Sequence, residues 1–210
     1  MTYEERIAQN PQWREDAAFL GRAIFEFRME NLPRIRRIIE TYPGKARENR
    51  ENRQYGYLAL VRHLKHFPDP EYMRWHIGQI LKETDKYILS SMLDEIANWP
   101  YLPPDTEITP LLVCTKSEKW LIYQGAIEAL SICDCEEARQ AVRPFLQWEP
   151  VRKNEPIYGD LGRFFARVGT PEDLPVLEEL YARANRNIRV NLEYAISGIK
   201  ERYQNGESKR

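Results

Sequence analysis

The sequence predicts an all-α chain, a solenoid of about five stacked helix pairs behind an N-terminal helical cap. Three observations predict it. Apolar residues recur at i, i+3 and i+4 along most of the chain, the spacing of one helix face. Leu60, Met92, Ala126, Leu161 and Leu192 stand 32, 34, 35 and 31 residues apart, and Leu64, Ile96, Leu130, Phe165 and Ile196 repeat the same four gaps. Pro110, Pro144 and Pro175 lie 16, 17 and 17 residues before Ala126, Leu161 and Leu192. A period of this size marks repeats that hide their apolar faces only by stacking on one another.

Taken in order, a short helix over residues 3–9 precedes the stripe Trp13, Ala17, Leu20, Ala23, Ile24 and Phe27. Residues 1–30 therefore read as an atypical terminal repeat, a cap with a neighbour on one side only. Residues 31–203 carry five repeats of one continuous domain, and the wholly polar tail 204–210 reads as disordered. The first pair opens at Leu32-Pro33, carries Ile35, Ile38 and Ile39, and ends near Pro43-Gly44. Lys45 to Arg53 is polar, beginning as a loop and passing into a helix through Tyr55, Leu60, Leu64 and Phe67. Pro68-Asp-Pro70 stops that helix, because proline disfavours helical backbone in the residue before it. The second pair occupies 70–83 and 85–99, closed by Pro100, with a further break at Pro103-Pro104. The third pair is 106–115 and 118–133, the fourth 135–148 and 156–168, joined by the linker Glu149 to Glu155. The fifth begins with Thr170 as N-cap and Pro171 at the first helical position, and its second helix runs from about Asn187 to Tyr203. Two more columns follow the same register: Ile88, Ile122, Ile157 and Ile188, then Trp99, Cys133, Val168 and Ile199.

The composition suits a folded chain, with 42% hydrophobic and 30% charged residues. A formal charge of −1 provides no general attraction to nucleic acid or an acidic membrane. Cys114, Cys133 and Cys135 are too few, and odd in number, for a disulfide framework. No stretch approaches the ~20 apolar residues of a membrane span, and the start of the chain lacks the basic and apolar runs of a secretory signal. A reducing cytoplasm is the expected setting. Oligomeric state has no signature in the sequence.

The repeat resembles HEAT-like repeats, the short bacterial kind also found in phycobilisome-lyase-like proteins. Ile122-x3-Ala126-x2-Ala129-Leu130-x2-Cys133 is similar to their second helix, and Ile188-Arg189-x2-Leu192-x2-Ala195-Ile196-x2-Ile199 keeps the arginine as well. The first two units depart from it, with His63 and Glu95 in the column held by Ala129 and Ala195. Tetratricopeptide repeats expect a tryptophan, leucine-glycine and tyrosine set in the first helix, which these first helices lack. The resemblance implies a right-handed α-solenoid whose second helices line a concave face. One row on that face would hold Tyr57, Leu89, Tyr123, Tyr158 and Arg189, and a second Arg62, Asp94, Glu128, Arg163 and Tyr194. Trp120 lies beside the first.

The expected function is therefore protein binding without catalysis, by an adaptor, an assembly factor or an inhibitor of the immunity type. Tyr57, Tyr123, Tyr158, Tyr194 and Trp120 would supply contact area, and Arg62, Arg163 and Arg189 would select acidic or carbonyl groups. The competing reading of the tyrosines is packing between repeats. Arg34, Arg36, Arg37, Lys45, Arg47, Arg50 and Arg53 form a basic cluster, but Glu40, Glu48 and Glu51 are interspersed, the pattern of a salt-bridged face. The resemblance also admits an alkylpurine-glycosylase-like nucleic-acid binder or a chromophore-lyase-like factor. Against the first, no acidic residue follows Trp120 before Glu128. His63, His66 and His76 lack a recognised metal spacing, as does Cys133-Asp-Cys135, so no metal and no cofactor are expected. Gly159 and Gly162, inside a predicted helix, are read as points of close packing.

Overall fold

Several helices start where the sequence supplies an N-terminal capping residue or a proline. In the computed structural model, residues 2–147 and 157–207 are described, and among them every regular element is helical. They fall into two compact units, Met1–Pro110 and Leu111–Arg210, where the sequence reading expects one continuous domain. The expected linker Glu149 to Glu155 lies outside the described residues.

In the first unit the helices are α1 (Tyr3–Ala8), α2 (Pro11–Ala23), α3 (Leu32–Thr41), α4 (Arg47–His66), α5 (Pro70–Gln79) and α6 (Lys86–Leu93). Asn10, Asp69 and Asp85 cap α2, α5 and α6 by accepting backbone N–H groups of the first turn. α3 packs on α4, while α2, α4 and α6 stack in that order. The core is largely apolar: Leu20, Ile35, Leu60, Leu64, Met73, Met92 and Ile96 are fully buried, along with the polar Asn52, His63 and His76.

Two elements differ from expectation. The polar stretch Lys45 to Arg53 is helical from Arg47 onward, because its polar groups meet partners on other elements. Trp13 Nε1 donates to the Glu48 carbonyl at 2.7 Å, and Arg53 forms a buried ion pair with Glu83 at 2.7 Å. The helix expected over 85–99 breaks after Leu93, with Glu95 in the left-handed region at φ 67°. The break turns Ile96 and Trp99 into the core, where Trp99 Nε1 donates to the Val61 carbonyl at 3.0 Å.

In the second unit the helices are α7 (Thr109–Thr115, whose first residues belong to the unit before), α8 (Trp120–Leu130), α9 (Glu136–Val142), α10 (Ile157–Val168), α11 (Leu174–Arg183) and α12 (Arg186–Glu207). α8 packs on α10 and α10 on α12, with α11 paired to α12. Thr170 stands at the N-cap of a turn that starts at Pro171, the positions the sequence predicts, and its N–H donates to Asp173 at 2.8 Å. The helix expected to end near Tyr203 continues to Glu207, so the first residues of the expected disordered tail are helical. Gly162 sits where an added Cβ would stand 2.6 Å from the Asn191 carbonyl oxygen, so α10 and α12 touch backbone to backbone there. Gly159 faces open space and makes no such contact.

The repeat columns are buried in both units. Leu60 and Met92 in one, and Ala126, Leu161 and Leu192 in the other, have no exposed surface. Polar contacts also recur at about one repeat length. In the first unit Arg36 meets Glu71, and Arg50 meets Asp85, each 35 residues on. In the second, Arg163 meets Glu128 over 35 residues, and Arg167 donates to Ser131 over 36.

Candidate partner-binding cleft

α8 has two differently used faces. Ile122, Ala126, Ala129 and Leu130 are at most 2% exposed and form its inner side. Trp120, at the first turn, is 55% exposed. Tyr123 lies three residues on, one helical turn along the same side. Its ring is tilted against Phe145 with centroids 5.6 Å apart. Beside this pair is a cleft of about 480 Å³ lined by Thr115, Ser117, Tyr123, Pro144, Phe145 and Gln147, among others. That volume lies within the range of small ligand and side-chain pockets. Its walls come from the turn before α8 and the turn after α9, so stacking of helices rather than any one helix creates it.

The other expected contact residues fall into two groups. Tyr57, Tyr123 and Tyr158 are only 4%, 7% and 3% exposed, so the tyrosine row is packed into the protein rather than displayed. Tyr57 stacks near Trp75 at 6.3 Å, and its phenol is pushed well above the usual range by burial, reinforced by Glu83. Tyr158 lines a separate hollow of about 670 Å³ with Leu146, Val176, Leu180, Ile188 and Leu192. The arginines expected to select acidic groups are engaged within the chain. Arg62 lies 3.6 Å from Glu95, Arg163 pairs with Glu128, and Arg189 donates to the Tyr181 and Ala182 carbonyls at 3.1 and 3.2 Å. The last arrangement satisfies carbonyls at the C-terminal end of α11, where a cation is favoured. Tyr194 is 57% exposed and, with Trp120, is one of the two predicted aromatics on the surface. Phe145 and Pro144 escaped the sequence reading as site residues. The available signal was the aromatic at 145 in a column held by Leu111 and Val176 in the neighbouring repeats.

The basic cluster is largely neutralised in place. Arg34 pairs with Glu15, Arg36 with Glu40 and Glu71, Arg47 with Glu51, Arg50 with Asp85 and Arg53 with Glu83. No group of three or more His, Cys, Asp and Glu among the described residues is placed to hold a metal ion. His63 and His76 are buried and bond the Ala59 and Met92 carbonyls at 2.8 and 2.7 Å, while His66 stacks on Phe27. Burial pushes the Cys114 and Cys133 thiols up to about 11 and about 12, so both are protonated and poor nucleophiles. No helix among the described residues is long and apolar enough to cross a membrane.

One polar pair lies below the surface between α8 and α10. Asp160 Oδ2 and Gln124 Oε1 are both buried without a hydrogen-bond partner. Burial pushes the Asp160 carboxyl up to about 6, opposed by a hydrogen bond from Gln124 and by Arg163, and assisted by Glu128.

Comparison with protein-family models, with curated proteins and with solved structures gives no match for the chain.

Proposed function

We propose that this is a non-enzymatic HEAT-like repeat protein, a right-handed α-solenoid, that binds a protein partner in the reducing cytoplasm as an adaptor, assembly factor or inhibitor of the immunity type. The observation that carries the binding reading is the largely apolar cleft that includes Tyr123, Phe145 and Pro144, with the exposed Trp120 one helical turn before Tyr123. Burying a tryptophan together with a neighbouring pocket is the arrangement that concentrates binding energy at protein interfaces. The repeat reading is supported by the buried columns and by side-chain contacts spaced one repeat apart within each unit. On this reading a partner's apolar side chain enters the cleft while Trp120 covers its flank. Tyr57 and Tyr158, being buried and outside the α8 cleft, hold adjacent helices in register and do not touch this partner.

The test is to purify partners on immobilised protein, then compare affinities by calorimetry. Trp120→Ala should weaken binding at least about tenfold, since a hot-spot aromatic contributes about 2 kcal/mol or more. Trp120 is exposed, so the fold should be retained, and circular dichroism checks this. Unchanged affinity in both Trp120→Ala and a folded Phe145→Ala variant would sink the cleft as the contact site.

A further inference from the structure

A second cleft lies in the first unit and shares no residue with the α8 cleft. It has a volume of about 380 Å³, and its lining includes the α3–α4 loop (Pro43, Gly44, Lys45) and the turn after α5 (Lys82, Glu83, Thr84). Its apolar lining includes Ile39, Tyr57 and Trp75. Trp75 is half-buried, with the Arg36 guanidinium 5.0 Å from its ring.

The two loops are held by one buried ion pair. Arg53 Nε and Nη2 donate to the Glu83 carboxylate at 2.7 and 3.3 Å, and Nη1 donates to the Tyr42 and Gly44 carbonyls at 2.8 and 2.9 Å. Glu83 also accepts the N–H groups of Thr84 and Asp85, each at 2.9 Å. Gly44 turns the first loop at φ 85°, a left-handed backbone that glycine adopts without strain. The lysines in the lining therefore stand on braced loops.

The charge balance decides what the cleft attracts. Both acids in its lining are already matched, Glu83 by Arg53 and Glu40 by Arg36 at 3.1 Å. Lys45 and Lys82 are exposed and form no ion pair among the described residues. The cleft thus presents an aromatic-walled hollow whose lining includes two lysines with no ion pair among the described residues. It has no free guanidinium fork, since Arg53 is fully engaged, and that fork is what most often selects phosphate in bidentate fashion. Separate ammonium groups on flexible stems suit two separated carboxylates instead.

We propose that this cleft binds an acidic peptide segment, seating one aromatic or large apolar side chain against Trp75 and Tyr57 with flanking carboxylates at Lys45 and Lys82. The probe is a fluorescein-labelled peptide, Asp-Glu-Phe-Asp-Glu, titrated into the full chain at low salt and followed by anisotropy. The expected result is saturable binding that falls at least about tenfold in the Lys45→Ala, Lys82→Ala double variant, and falls again as salt is raised. The charge-reversed double variant, Lys45→Glu with Lys82→Glu, should instead take up Lys-Arg-Phe-Lys-Arg. Both lysines are exposed, so the variants should fold, and their thermal melts verify it. Equal binding by the double alanine variant overturns the proposal. So does equal binding of the neutral peptide Asn-Gln-Phe-Asn-Gln, which would make the cleft merely apolar. Displacement by millimolar inorganic phosphate, or equal binding of the peptide with alanine for phenylalanine, would assign a small-anion site in its place. A partner lost on Trp120→Ala and retained in the lysine variants separates this site from the α8 cleft.

Discussion

At the scale of single residues, Asp160 carries a charge problem that the rest of the protein only partly relieves. Its carboxyl is raised from an ordinary 3.8 to about 6 chiefly by burial. A carboxyl whose pKa is higher in the folded state favours folding below its unfolded value, and that contribution is lost as pH rises through about 6. At neutral pH the ionised group costs roughly 2–3 kcal/mol. Asp160→Asn removes the charge and adds a donor next to the unpaired Gln124 oxygen. The variant should melt higher than the wild type at about pH 7.5 and show little difference near pH 4. Melts across this range read the crossover directly, and a stability gain independent of pH would refute it. None of this was legible in the sequence, where Asp160 is one acid among many on an amphipathic helix. The tyrosine row shows the same limit. Tyr57, Tyr123 and Tyr158 stand at the expected register, yet all three are buried, with Trp75 stacked near Tyr57 and Phe145 against Tyr123. Spacing along one helix says which side a residue occupies. It does not say how far the next helix reaches across that side.

At the scale of elements, the close approach of α10 and α12 gives a sharper test of packing than any large side chain. Gly162→Ala places a methyl group 2.6 Å from a backbone oxygen, so the helices must separate. It should destabilise the protein by about 1–3 kcal/mol in urea unfolding. Gly159→Ala, three residues earlier, meets no atom within 4 Å and should be neutral or stabilising by up to about 1 kcal/mol. Similar costs at both positions would mean that helix propensity, not helix contact, sets the effect. The sequence reading treated the two glycines alike because both fall inside one helical pattern. Only the partner helix distinguishes them. The break of α6 has the same origin. Ile96 and Trp99 keep the repeat register, but Glu95 takes a left-handed backbone so that Trp99 can donate to Val61. A left-handed non-glycine residue costs about 1–2 kcal/mol. A long-range hydrogen bond and a buried indole offset that, and neither has a local sequence signature.

At the scale of the whole molecule, 31 basic and 32 acidic side chains leave almost no net charge. The described arginines of the basic cluster other than Arg37 are tied to acids of the same chain. A labelled DNA duplex at about 50 mM salt should therefore produce no anisotropy rise, because the net charge is near zero and the basic cluster is largely neutralised by its own acids. Binding with a steep log–log salt dependence would restore the nucleic-acid reading. The sequence by itself determined that the chain is helical, where most helices begin and end, and which residues form the buried columns. Those properties follow from caps, prolines and a 3.6-residue period repeated every 31–35 residues, all written in local order. Tertiary structure alone decided which polar side chains are spent inside the chain and where clefts remain. Arg62, Arg163 and Arg189 are engaged by partners within the chain, Lys45 and Lys82 form no ion pair among the described residues, and Phe145 rather than a second tyrosine stands against Tyr123. The reason is physical: a charge or an aromatic ring finds its partner across space, often a whole repeat away, and only the stacking of helices sets those distances.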